Sequence, residues 1–262
     1  IEKAPTLVGG ATTLRCFGTG ANSVLFNTAP PLIKSPTLQV AHFLSTGSGA
    51  GNQLLKYTLN TATNTMTFNT PIPIPAWTAP PDAPQPPGGA GFLLDTLDGR
   101  FQSNTVQAGN ILFATHAVNI SGLSGIKLYR VNASTNTATV PLTWTTFASN
   151  VATWGPSYAT KNAKGASKGF LTFSYSGAAF NPSAAVITGS NNGTTETFSG
   201  FTFVSGVPMN SNCQLPTRCR WGDYSATTLD PDNLNAAFGT AQYMTGGSQF
   251  NWTTRIMELR NP

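Results

Sequence analysis

The sequence predicts an all-β fold assembled from repeated propeller blades. Three observations carry that prediction. No stretch of a dozen residues keeps helical periodicity. Strand-length apolar or alternating runs recur throughout the 262-residue chain. One strand–turn–strand unit occurs twice with the same internal spacing. In it, Tyr57 is followed by Asn60, Thr63, Asn64, Thr65 and Thr67, and Tyr129 by Asn132, Thr135, Asn136, Thr137 and Thr139.

An apolar strand precedes each copy, at Val40 to Leu44 and Ile111 to Thr115, and similar inner strands are expected at Phe170 to Tyr175 and Ala237 to Tyr243. The result is four blades, at residues 37–75, 100–147, 156–205 and 220–260. Residues 1–36 hold further strand signals at Leu14 to Phe17 and Val24 to Phe26, enough for part of a fifth. Residues 1–262 therefore read as one β-propeller domain, or as the C-terminal portion of one.

Each element follows from its residues. Leu171, Phe173 and Tyr175 alternate with Thr172, Ser174 and Ser176, the pattern of a half-buried strand. Ile111 to Val118 is apolar except for Thr115 and His116, as in an inner strand covered on both faces. Turns are expected at Ala108-Gly109-Asn110, Asn192-Gly193, Asp230-Pro231-Asp232-Asn233 and Gly246-Gly247. Between residues 71 and 91 eight prolines forbid a helix or a central strand, so this segment reads as an extended connection between blades. Trp77 and Phe92 at its ends indicate that it packs.

Composition narrows the class of function. Charged residues make up only 9% of the chain, far below the roughly 25% of ordinary soluble domains, and Ser, Thr, Asn and Gly are expected to carry the polar surface. That composition is typical of secreted or cell-surface β proteins. No transmembrane run and no signal peptide is visible, and the chain starts at Ile1; the expectation is a processed N-terminus or a piece of a longer chain. The net charge of +5 is dispersed. Lys161, Lys164 and Lys168 form the one local basic group and read as a solvated hairpin turn. The basic stripe with interleaved aromatics expected of a nucleic-acid partner is missing.

Of three cysteines, Cys213 and Cys219 are close enough to staple a Pro-containing loop, which leaves Cys16 over. Such a disulfide requires an oxidising compartment. The alternative is three buried free thiols.

Several groups are candidate sites. Arg220, Trp221, Asp223 and Tyr224 fall within five residues beside the proposed disulfide, offering charge-assisted hydrogen bonds and flat apolar faces suited to a sugar. The favoured reading is a structural lock, with Trp221 and Tyr224 in the core between blades and Asp223 capping a turn or pairing with Arg220. Asp95, Asp98 and Arg100 precede the second blade, where they would line a pocket or offer oxygens to Ca²⁺. An Asp98-Gly99 turn with a neighbouring salt bridge explains the same residues, and two carboxylates fall short of the six or more oxygens of a calcium site. His42 and His116 lack ligands at metal spacing and read as hydrogen-bonded core histidines. Asp230 to Asn233 is a hairpin turn before it is half a calcium loop. Asn119, Asn132, Asn192 and Asn251 begin Asn-x-Ser/Thr sequons.

A family resemblance rests on three stretches. The first is Pro80-Pro81-Asp82-Ala83-Pro84-Gln85-Pro86, with the following Leu94-Asp95-Thr96-Leu97-Asp98-Gly99-Arg100-Phe101. The second is Asn110-Ile111-Leu112-Phe113-Ala114-Thr115-His116. The third is Arg220-Trp221-Gly222-Asp223-Tyr224-Ser225-Ala226, with Asp230-Pro231 and Asn251-Trp252-Thr253-Thr254 beyond it. Over about residues 35–260 the chain resembles exported bacterial β-propeller proteins of the sialidase-like superfamily. The resemblance implies a larger ring of six or seven blades, of which this chain supplies four to five. The remaining blades, or a partner chain, would then cover an otherwise exposed strand edge.

The Asp boxes of sialidases are missing, and the only glutamates are Glu2, Glu196 and Glu258. Enzyme activity therefore does not carry over. The expected function is non-catalytic binding of carbohydrate or another surface ligand, or assembly, without a cofactor. One alternative is a sialidase-type glycoside hydrolase using Arg100, Arg220 and Arg255, with Tyr224 or Tyr243 as nucleophile and Glu258 beside it. Another is a structural subunit of an extracellular polymer.

Overall fold

A computed structural model describes residues 27–33, 37–86, 93–144, 150–161, 167–191, 196–209, 213 and 218–260. They form nineteen β-strands with no α-helix among them. No helix is long and apolar enough to cross a membrane.

Four antiparallel sheets follow one another along the chain. The first holds β1 (Asn27–Ala29), β3 (Val40–Thr46), β4 (Ala50–Asn60) and β5 (Thr65–Phe68), with β6 (Ile72–Thr78) continuing along the same side of β4. The second is a meander of β8 (Thr105–Ala108), β9 (Ile111–Ile120), β10 (Leu123–Asn132) and β11 (Thr137–Trp144), joined at β8 by the parallel strand β2 (Pro31–Ile33). The third comprises β12 (Val151–Thr160), β13 (Ser167–Gly177), β14 (Phe180–Asn191) and β15 (Glu196–Val204). In the fourth, β17 (Ala226–Leu229), β18 (Ala236–Met244) and β19 (Trp252–Arg260) make only three strands. A two-stranded parallel joint, β7 (Leu93–Leu94) with β16 (Arg218–Cys219), completes the set.

The four runs expected as inner strands are β3, β9, β13 and β18, and each has a neighbouring strand on both sides. Successive sheets pack face to face. Leu44, Leu54, Ile72 and Trp77 of the first meet Leu112, Tyr129 and Val131 of the second. Phe113, Ile126 and Leu128, on the other face of the second, meet Tyr158, Phe173 and Ile187 of the third. Phe170 and Val186 of the third meet Leu229, Ala237, Met257 and Leu259 of the fourth. A sheet covered on both faces needs apolar residues at consecutive positions, which is why β9 reads as an unbroken apolar run. Among the described residues, no hydrophobic cluster joins the first sheet to the fourth.

The repeated unit is reproduced in atomic detail. Asn60 Oδ1 accepts from the amides of Ala62 and Thr63 at 2.9 and 3.3 Å, and Asn132 Oδ1 accepts from Ser134 and Thr135 at 3.0 and 3.3 Å. Asn64 and Asn136 occupy the left-handed region at φ 53° and 56°, which asparagine tolerates better than other side chains. Both turns close β-hairpins, β4–β5 and β10–β11.

Two expectations need correction. The proline-rich stretch is more than a connection, since Ile72–Thr78 is a strand at the sheet's edge. Pro73 and Pro75 point to solvent, while Ile72, Ile74 and Trp77 enter the core. An edge position tolerates residues that lack an amide donor. Nor do Ser and Thr serve the surface alone. Thr172, Ser174 and Ser176, opposite the apolar face of β13, are fully buried, so that strand is covered on both sides. Of the other expectations, Cys16, Phe92, Lys164, Asn192, Gly193 and the strand signals at Leu14 to Phe17 and Val24 to Phe26 lie outside the described residues.

Candidate functional site

The candidate site forms where residues 93–101 run beside residues 218–224. Leu93 and Leu94 pair in parallel with Arg218 and Cys219, and the Asp95 amide continues the ladder to the Cys219 carbonyl at 2.9 Å. Cys219 is disulfide-bonded to Cys213 across a Cα separation of 4.5 Å, as expected from the sequence. Beneath the joint, Ala83, Leu94, Met209 and Cys219 pack with Trp154, Trp221 and Met244.

The stretch Arg220 to Thr227 divides its side chains between core and solvent. Trp221 is 2% exposed, its ring edge-on to Trp154 at 6.2 Å and its Nε1–H donated to Ser174 Oγ at 3.0 Å. Ser225 Oγ donates to the Gly155 carbonyl at 2.5 Å. The Thr227 hydroxyl bridges the Ser157 carbonyl and the Thr172 hydroxyl, each at 2.6 Å, and its amide donates to Ser157 Oγ. These bonds fasten the fourth sheet and the stretch before it to β12 and to the buried hydroxyls of β13. The structural lock is therefore correct for Trp221. It is wrong for Tyr224, which is 66% exposed.

Arg220 and Asp223 remain on the surface as a two-bond pair, with Nη2 at 3.0 and 2.8 Å from the carboxylate oxygens. Gly222 lies so close to Gln242 that an added Cβ would come within 2.4 Å of its Oε1. Gln249 Oε1 accepts from the Arg220 amide at 3.1 Å, tying the loop between β18 and β19 to this stretch.

Asp98 and Arg100 form the expected turn. Asp98 Oδ1 accepts from the Arg100 amide and Nε at 3.0 and 2.8 Å, and Oδ2 accepts from Nη2 at 2.5 Å. The Arg100 pKa is raised, first by this hydrogen bond; burial opposes it, and the charges of Asp98, Tyr224 and Asp223 add to it. The two candidate groups are thus near enough for their charges to act on one another. Asp95 is buried, with Oδ1 accepting from the Leu97 amide at 2.9 Å and Oδ2 lying 3.7 Å from Arg218 Nε. Arg218, which the sequence reading did not single out, also pairs with Asp82 at 3.3 Å. Both candidate calcium carboxylates are thus engaged by amides and guanidinium groups. No group of three or more His, Cys, Asp or Glu able to hold a metal occurs among the described residues.

Beneath the turn, Gly99 lies flat against Trp77, and its carbonyl accepts from His116 Nδ1 at 2.7 Å. His116 Nε2 then accepts from the Tyr129 hydroxyl at 2.9 Å, which fixes the neutral tautomer. Burial lowers the His116 pKa to about 4, opposed by the Gly99 bond and assisted by Lys127. His42 is also a core histidine, with Nδ1 3.0 Å from Thr58 Oγ1 and a pKa pushed down to about 4, first by burial and then by Lys56.

A Tyr–carboxylate pair occurs, but not among the residues named for hydrolysis. Tyr158 donates to Glu196 Oε1 at 2.5 Å, and both side chains are buried. An added Cβ on Gly169 would strike both groups, so the glycine clears the path between β12 and β15. The expected partner Glu258 pairs instead with Arg260 at 2.6 Å. No family model matches this chain, and no curated protein matches it in sequence.

Proposed function

We propose that this chain is a non-catalytic β-propeller module of the sialidase-like type that acts outside the cell by binding carbohydrate or a similar surface ligand. One observation carries the binding reading. The segment Arg220 to Thr227 buries Trp221, Ser225 and Thr227 as a lock and so holds Arg220, Asp223 and Tyr224 at the surface, where Asp223 and Tyr224 act on the charge of Arg100. A rim fixed from below offers paired donors and acceptors and an aromatic face at low ordering cost.

The propeller reading is supported by the face-to-face succession of four antiparallel sheets. It extends to a ring of six or seven blades, in which further blades or a partner chain would cover an exposed strand edge. The disulfide fits an oxidising, extracellular setting.

Screening the purified protein on an array of immobilised glycans tests the reading. Binding is expected, and it should fall with Asp223→Asn and with Arg220→Ala. A fluorogenic sialoside in the same preparation should stay uncleaved. Turnover that disappears in folded Arg220→Ala would replace this proposal with a hydrolase.

A further inference from the structure

The two halves of the rim share an anchor at each end. At one end the Asp95 amide donates to the Cys219 carbonyl at 2.9 Å, where β7 and β16 meet. At the other, Ser103 Oγ donates to the Pro156 carbonyl at 3.0 Å, and Ser225 Oγ to the Gly155 carbonyl at 2.5 Å. Asp98 and Arg100 lie in the span between Asp95 and Ser103. Arg220, Asp223 and Tyr224 lie in the span between Cys219 and Ser225.

The second shared anchor is a bulge in β12. The register with β13 passes from Trp154–Ser174 to Ser157–Thr172, so Gly155 and Pro156 together oppose the single Phe173. Gly155 takes up the kink at φ 61°, a left-handed backbone that glycine adopts without steric cost. An added Cβ would meet nothing nearer than Gln102 Oε1 at 3.9 Å, so backbone conformation rather than crowding requires the glycine. Carbonyls turned out of a ladder still need donors. One serine from each span supplies them, and Thr227 extends the grip to the Ser157 carbonyl and hydroxyl.

Each span also has supports of its own. Gly99 is bonded to Ser48 and His116, Trp221 to Ser174, and the Arg220 amide to Gln249. Those supports belong to different sheets, whereas the shared anchors fix one span against the other.

Resting on the rim reading above, we infer that Gly155, Ser103 and Ser225 are positioning residues of the binding site. The β12 bulge sets where Arg100 stands relative to Asp223 and Tyr224, whose charges act on it. A ligand then meets groups that are already spaced, and less ordering entropy is lost on binding.

Amide hydrogen exchange of the full chain tests the shared anchor without a ligand. Ser103→Ala removes one hydrogen bond from the first span. Exchange at the Arg220 and Thr227 amides, in and just beyond the second span, should quicken by about fivefold, while strand β10 keeps its rate. Ser103→Thr keeps a hydroxyl and should restore the parent rates. Gly155→Val should quicken both spans; if that variant does not fold, the two Ser103 variants decide. Faster exchange confined to residues 95–103 in Ser103→Ala overturns the coupling. An array of immobilised glycans then tests positioning. Binding that falls in Ser103→Ala and returns in Ser103→Thr supports it, and binding unchanged in Ser103→Ala overturns it. A parent protein that binds no glycan, with both spans still responding in exchange, overturns the binding reading and leaves the anchor in place.

Discussion

Trp221 and Ser174, 47 residues apart, are joined by a buried hydrogen bond of 3.0 Å that ties the candidate rim to the second strand of the third sheet. The bond predicts a graded response. Trp221→Ala should lower stability by about 3–5 kcal/mol through the cavity it leaves. Trp221→Phe keeps part of the packing but strands the Ser174 hydroxyl, at a cost of about 1–3 kcal/mol. Tyr224→Ala, three residues along, should stay within about 0.5 kcal/mol of the parent. Urea denaturation of the three variants checks the order.

Stability should decline in acid through His116. Its pKa is about 4 in the folded protein against the ordinary histidine value of 6.5, so the unfolded chain binds more protons between those values. The stabilisation is complete above pH 6.5 and is lost as pH falls toward 4. At roughly 1.4 kcal/mol per unit its full size is about 3 kcal/mol. His42 acts in the same sense. Urea midpoints at pH 7 and pH 4.5 should differ, and His116→Phe should narrow the difference.

Gly99→Ala tests the seat of the Asp98–Arg100 turn. The new Cβ would lie 2.1 Å from Trp77 Cζ3, on the rigid part of a buried ring. The turn must lift or the indole must shift, with a loss of about 1–3 kcal/mol. Glycan binding at the rim should weaken as well. An unchanged melting temperature would refute the contact.

Reduction of Cys213–Cys219 should cost about 2 kcal/mol by the chain-entropy model for so short a loop. The expected signature is a lower melting temperature in reductant, with an unreduced peptide two hydrogens lighter by mass spectrometry. Alkylation of both thiols in the native protein would contradict it.

Features held by neighbours in the chain were legible in the sequence. The Asn60 and Asn132 turns, the Asp98–Arg100 turn and the short disulfide loop all close within six residues, so local residue type and spacing suffice to specify them. The strand runs were legible as alternation in β13 and as an unbroken apolar run in β9, each bounded by turn residues. Tertiary structure alone decided which polar positions are interior. Thr172, Ser174 and Ser176 read as a solvent face, yet their hydroxyls are met by Thr227, Trp221 and Pro84, 47 to 92 residues away. Whether Tyr224 or Trp221 turned inward, and whether Tyr158 would meet Glu196 across Gly169, depended likewise on distant partners. A buried polar group is stable only where another segment completes its hydrogen bonds, and one strand's own sequence does not contain that segment.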